Sequence, residues 1–246
     1  MLKILTVNLN YVRDGYGPWP ERCTRLRALL QAERPAIIAL QAAHVDDTRN
    51  QLRELAGDLD YHHQLFLAAD TTQPHQGSAI LSEIPLSAPW SFALPRDDDD
   101  EDPSPRRVIS ASFAWQGEIW RLTNAHCSWV PTQNRHQVAA LAQALEGFSG
   151  PQCLVGDFNA PPTAPGIAHL TASGWVDAHA CVGQGTGATF PAEAPQDRID
   201  YLFVHGCDRA RLLATRTFPE QGPALSDHKA AMLIIAQPRE TTETFR

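Results

Sequence analysis

The chain has 246 residues, 43% apolar and 20% charged, with 28 acidic against 20 basic residues and a net charge of −8. That length and apolar share can bury a sizeable core. The acidic balance argues against holding duplex nucleic acid mainly by net field, although a local basic groove is compatible with it. No run approaches the roughly 18 apolar residues of a membrane span. Leu2 to Val7 is too short and too β-like for a leader, so a cytoplasmic protein without stable membrane insertion is expected. The five cysteines are widely spaced with no C-x-x-C, which makes a disulfide framework or a zinc cluster unexpected.

In chain order, the patterning predicts a strand at Leu2–Asn8, a helix at Glu21–Ala32, a strand at Ala36–Gln41 and a helix at Asp46–Gly57. Strands are then expected at His63–Ala68, Ser78–Ser82, Val108–Trp115 and Ile119–His126, rich in β-branched and aromatic residues. A helix at Arg135–Gly147 puts Val138, Leu141, Ala142 and Leu145 on one face. A strand at Gln152–Val155, a helix at Ala164–Ser173, and strands at Ile199–Val204, Arg211–Thr217 and Ala230–Ala236 complete the reading. The acidic run Asp97–Asp102, with Pro103 and Pro105, reads as a solvated, mobile loop over 97–105, or else as a lid near the site.

Four apolar runs end in, or lead into, an oxygen-bearing or imidazole side chain. Leu5-Thr6-Val7 leads to Asn8, Leu122-Thr123 to Asn124-Ala125-His126, and Leu154-Val155-Gly156 to Asp157-Phe158-Asn159. Arg198-Ile199 leads to Asp200, and Ser226-Asp227-His228 precedes the final strand. Polar groups at strand ends gather at one edge of a sheet core, where a cleft forms. Carboxylate and amide oxygens suit Mg²⁺, and imidazoles with acidic neighbours move protons near neutral pH. Together the set suits phosphate-ester hydrolysis: a metal to polarise the phosphoryl oxygen, a base for water and an acid for the leaving oxygen. Singly, Asp157 reads as a turn residue, His126 as a structural histidine and Asp227-His228 as a turn or cap pair. Asp200 is harder to explain away, because a buried carboxylate needs a partner and Arg198 is a weak one.

Taken in order, these segments resemble the endonuclease/exonuclease/phosphatase superfamily, the deoxyribonuclease I-like fold. The resemblance is carried by TVN ending at Asn8, IIALQ at Ile37–Gln41, GSAILS at Gly77–Ser82, NAH at Asn124–His126, GDFNA at Gly156–Ala160, RIDYLFV at Arg198–Val204 and SDH ending at His228. It implies an α+β fold, a four-layer α/β/β/α sandwich of two mostly antiparallel sheets with helices outside. It also implies a single domain over residues 1–246, because the site draws on both ends of the chain. By the same resemblance, Asn8 and Asp227 lie at Mg²⁺, with Mn²⁺ as a substitute. Asp157 positions or activates water, and Asn159 holds the phosphate. His126 and His228 stabilise the phosphoryl group and manage protons, and Asp200 orients a histidine, foremost His228.

The resemblance breaks at Ala42. The family's metal-binding glutamate follows the glutamine of an LQE motif, and here the chain reads Leu40-Gln41-Ala42. A methyl group cannot ligate Mg²⁺, and a lost carboxylate weakens an oxygen-ligated site. His44, Asp46 and Asp47 are close, but none holds the right strand position. Two readings stay open: a glutamate-to-alanine replacement that inactivates an otherwise intact enzyme, and a natural pseudoenzyme that binds without cleaving. The intact remainder of the set favours the first.

After His126, the run Trp129, Pro131, Arg135 and Gln137 resembles the deoxyribonuclease I, sphingomyelinase and tyrosyl-DNA-phosphodiesterase branches more than the abasic-site endonucleases. The segment Asn10–Pro20 interleaves aromatic and basic residues, as sites for single-stranded nucleic acid do. Candidate substrate contacts are therefore Tyr11, Arg13, Trp19, Asn124, Trp129 and Arg135, with Tyr16, Trp175 and Phe190 as further aromatics nearby. Arg106-Arg107 reads either as a phosphate contact or as balance for the acidic run. Three functions follow: a Mg²⁺-dependent phosphodiesterase, most of all a nuclease; a phosphatase or phosphodiesterase of small or lipid-linked substrates; and a non-catalytic binding module.

Overall fold

The computed structural model describes residues 1–96 and 101–238, so Asp97–Asp100 of the acidic run lie outside the described residues. The chain begins with β1 (Leu2–Asn8), α1 (Trp19–Glu33), β2 (Ile37–His44) and α2 (Gln51–Ala56). It continues through β3 (His63–Ala68), β4 (Gln76–Ser82), β5 (Leu86–Ala93), β6 (Arg107–Trp115) and β7 (Glu118–His126) to α3 (Pro131–Ala144) and β8 (Gln152–Asp157). The last elements are α4 (Pro165–Ala172), β9 (Val176–Asp177), α5 (Ala178–Val182), β10 (Asp200–His205), β11 (Leu212–Phe218) and β12 (Ala230–Ile235).

Two six-stranded sheets form, in the orders β11-β12-β1-β2-β4-β3 and β5-β6-β7-β8-β10-β9. Each has one parallel pair at its centre, β1–β2 and β7–β8, and is otherwise antiparallel. Parallel neighbours end at the same edge. Asn8 therefore stands opposite Gln41 in the first sheet, and His126 opposite Asp157 in the second. β1, β2 and β8 are buried almost throughout because both faces of these strands are covered.

Leu2, Ile4, Ile37, Phe113, Trp120 and Val155 pack between the sheets. On the outside, Trp19, Cys23, Leu26 and Leu30 of α1 and Leu52 and Leu55 of α2 cover the first sheet. Val138 and Leu141 of α3 and Ile167 and Leu170 of α4 cover the second. Each fully buried leucine or isoleucine contributes about 1.5–3 kcal/mol of transfer free energy, so the layers are held by area rather than by any one contact. The result is the expected four-layer sandwich of two mostly antiparallel sheets with helices outside.

Three local expectations are corrected. β5 was not anticipated. It is a mostly exposed edge strand with Pro89 in its bulge between Ser87 and Trp90, and proline removes a ladder donor. The second helix starts at Gln51 instead of Asp46, because the Asp46 carboxylate turns back onto the N–H groups of Thr48 and Arg49 while Asn50 caps Arg53 N. Asp102, read as part of a solvated run, is fully buried and accepts from Ser104 N at 3.1 Å and Arg106 Nη2 at 2.9 Å. Among the described residues no helix is long and apolar enough to cross a membrane.

Candidate active site

The polar strand ends meet where the two parallel pairs stop. Asn8 Nδ2 donates to Asp157 Oδ2 at 2.9 Å, which ties the end of β1 to the end of β8 across the two sheets. The other carboxylate oxygen of Asp157 accepts from Asn159 N at 2.9 Å. Asn159 sits at φ +48° and donates its Nδ2 to Cys127 O at 2.9 Å. His126 Nε2 and His228 Nε2 lie 3.5 and 3.7 Å from Asp157 Oδ2. His228 Nδ1 lies 2.8 Å from Asp200 Oδ2, and the Phe190 ring packs on the imidazole at 5.0 Å. The turn bearing Asp227 and His228 is pinned by Ala192 N donating to Asp227 O and Lys229 N donating to Thr189 O.

These groups reset one another's proton affinities. Burial pushes the Asp157 carboxyl up to about 6, against the pull of His228 and with a further push from Asp200. For His228, burial disfavours the cation, but the Asp200 and Asp157 carboxylates outweigh it and raise the imidazole to about 10. His126 moves the other way: burial, then the charges of Arg106 and His228, holds it well below the usual histidine range. At neutral pH the cleft therefore presents a charged His228 imidazolium, a neutral His126 imidazole and an Asp157 carboxylate that is mostly ionised and takes up a proton just below neutrality. That is a proton-transfer set.

Asp157, Asp200 and His228 also lie close enough for a three-ligand metal cluster, their donor atoms within 4.8 Å of one another. In this arrangement the donor atoms of the trio are engaged within the protein, His228 Nδ1 with Asp200 and the two Asp157 oxygens with Asn8 and Asn159. Cation donors remain on Asn8 and Asp227. The Asn8 Oδ1 already accepts from Asn10 N at 2.9 Å, and Asp227 Oδ1 accepts from Ser226 Oγ at 2.9 Å. Ala42 lines the same cleft, at φ +48° on a bulge between Leu40 and Ala43. Bulges beside active sites re-aim a side chain. Here the re-aimed side chain carries no ligand atom, so one carboxylate and one shared amide oxygen do not fit a tightly held divalent ion.

The cleft encloses about 330 Å³. Of the residues read as site or substrate contacts, Asn8, Tyr11, Arg13, Ala42, His126, Trp129, Asp157, Asn159, Asp227 and His228 line it, and Asp200 stands behind His228. Three do not belong there. Trp19 is 2% exposed, packs in the core under α1 and donates its indole N–H to Glu54 at 2.6 Å. Asn124 is fully buried between the sheets, with Nδ2 donating to the carbonyls of Leu40 and Ala79, both at 2.9 Å, and Oδ1 accepting from Gln41 at 2.6 Å. Arg135 is exposed on α3 away from the cleft.

Sequence reasoning missed Arg22, a buried guanidinium that donates to the carbonyls of Leu9, Tyr11, Arg13 and Gly17. It shapes the loop that brings Tyr11 and Arg13 to the cleft. Its only local signal was a charge on the inner face of an amphipathic helix. Arg106 also lines the cleft.

The family model of Endonuclease/Exonuclease/phosphatase proteins matches residues 5–228, which spans the site from Asn8 to His228. The chain belongs to the endonuclease/exonuclease/phosphatase family. Phosphate-ester hydrolysis is the general reaction of this family. No curated protein matches the sequence. Solved structures share the endonuclease/exonuclease/phosphatase fold at low identity. A functionally unknown conserved protein from Enterococcus faecalis V583 aligns with TM-score 0.83 at 20% identity, over 96% of this chain and 100% of the other. A mannosyl-6-phosphatase from Bacteroides thetaiotaomicron aligns with TM-score 0.79 at 16% identity, over 96% and 100%. A 3′ phosphatase from Neisseria bound to product DNA hairpin aligns with TM-score 0.71 at 21% identity, over 96% and 99%.

Proposed function

We propose that the chain carries the proton-transfer half of a Mg²⁺-dependent phosphodiesterase, most of all a nuclease, and is inactive or weak because position 42 lacks a carboxylate. The observation that supports this is the linked set Asn8–Asp157–His228–Asp200 at a cleft that Ala42 also lines. Asp157 positions an attacking water or takes its proton. His228, held by Asp200, presents a charged N–H to a phosphoryl oxygen. His126 is neutral and can accept a proton, and Asn159 reaches the phosphate from a backbone bend. The resemblance implies Mg²⁺, with Mn²⁺ as a substitute, to polarise the phosphoryl oxygen. The donors present do not fit it, so the proton-transfer groups act without it in this chain.

Tyr11, Trp129 and Arg13 border the cleft, and stacking aromatics with a nearby cation favour a single-stranded nucleic acid as the phosphate ester. The second reading is a phosphatase of smaller substrates, which the mannosyl-6-phosphatase and 3′ phosphatase among the structural neighbours bring forward. The test is Ala42→Glu, assayed beside the parent with Mg²⁺ or Mn²⁺. Substrates are single- and double-stranded DNA, RNA, a generic phosphodiester and a phosphomonoester. Metal-dependent cleavage by Ala42→Glu alone is expected, and the preferred substrate selects between the readings. A folded Ala42→Glu that cleaves nothing would remove the nuclease reading and leave a binding protein.

A further inference from the structure

We infer that Arg106, together with the His228 imidazolium, holds the phosphate group of this chain's ligand, and that the cleft binds phosphate without a divalent ion. This deepens the reading above by assigning the recognition of the phosphate in a chain whose metal donors are incomplete.

Arg106 borders the cleft alongside His126, Ser104 and Tyr11. Its side chain is only 10% exposed and, among the described residues, is held by the fully buried Asp102 through Nη2 at 2.9 Å. Asp102 is itself fixed by Ser104 N and, through its carbonyl, by Gln133 Nε2 at 3.1 Å. The guanidinium Nε is buried and without a hydrogen-bond partner among the described residues. A guanidinium has five N–H donors, and an unmade hydrogen bond to a buried charged group is costly. Here a rigid cation keeps spare donors beside a polar cleft, in the planar fork that matches phosphate oxygens. Its charge reaches the cleft: burial is the larger effect at both groups, and Arg106 pushes the His126 imidazole further down and partly opposes the burial-driven rise of the Tyr11 phenol.

The charge inventory agrees. Arg13, Arg106 and Arg107 line the cleft against the carboxylates of Asp157 and Asp227. A glutamate at position 42 would add a third carboxylate, which repels phosphate unless a cation neutralises it. Ala42 removes that repulsion.

The experiment titrates inorganic phosphate into the parent chain in EDTA by calorimetry. Binding is expected without metal. Arg106→Gln should weaken it about ten-fold or more, the loss of a charge-assisted contact worth about 1.4 kcal/mol. Arg106→Lys should recover part of it. Ala42→Glu should weaken it in EDTA and regain it with Mg²⁺. Because Arg106→Gln strands the buried Asp102, the double variant Asp102→Asn/Arg106→Gln keeps a neutral pair and serves if the single variant fails to fold. Phosphate binding that needs Mg²⁺ in the parent would overturn the inference. So would a folded single or double variant that binds as tightly as the parent. Turnover by Ala42→Glu is scored separately, so loss of the hydrolase reading and loss of this one are distinguishable.

Discussion

Replacing Asn124 by alanine tests whether this residue ties the sheets together or touches the ligand. Its amide donates to the carbonyls of Leu40 and Ala79, paired residues beside the bulge that carries Ala42. Its oxygen accepts from Gln41, which keeps a second acceptor in Thr6 Oγ1 at 2.9 Å. Asn124→Ala therefore leaves two buried carbonyls without this donor. At roughly 1–3 kcal/mol for each unsatisfied buried group, the expected cost is about 3 kcal/mol, near a hundred-fold in the folded-to-unfolded ratio. Urea unfolding should show a lower midpoint with an unchanged slope. Phosphate affinity of the folded fraction should stay at the parent value, because the side chain faces the inter-sheet core. A stability loss under about 1 kcal/mol together with a large loss of binding would refute the reasoning and return Asn124 to the ligand.

The His228–Asp200 pair sets a pH signature. The folded chain keeps a His228 proton up to about pH 10 that an unperturbed histidine releases near 6.5. Stability from the pair is therefore complete below pH 6.5 and is lost as pH rises toward 10. Urea unfolding across that range should show this decline, and Asp200→Asn should flatten it; an unchanged slope in the variant would contradict the pairing. The two tryptophans first read alike should separate in the same assays. Trp19→Ala should cost about 3 kcal/mol or more, as core truncations of large aromatics do, without touching the cleft. Trp129, 51% exposed at the cleft rim, should change stability by less than about 0.5 kcal/mol while weakening oligonucleotide binding.

Much of the site was legible because its residues sit at the ends of apolar runs. Asn8, His126, Asp157 and Asp200 each stand at a boundary between an apolar run and a polar segment, and strand ends are where a sheet can afford polar groups. The gap at Ala42 was legible only through the family resemblance, which implies a glutamate after Gln41. Trp19 and Arg22 were read less well, because a helix of mixed polarity does not announce which residues turn inward. Trp19 turned to the core, and Arg22 turned inward to hold a loop. β5 escaped because its exposure and Pro89 erase the alternation that marks a strand.

The sequence by itself determined most strand positions and the chemical types at the cleft, since these follow from the local period and from residue chemistry, while the layered architecture was implied by the family resemblance. Only the tertiary structure decided which of them meet. The pairing of Asn8 with Asp157 spans 149 residues, and that of Asp200 with His228 spans 28. The burial of Asp102 against Arg106 turns the end of an apparently solvated acidic loop into the anchor of a cleft wall. Partners of this kind are fixed by how two sheets stack and where each parallel pair ends, and a linear pattern does not encode that distance.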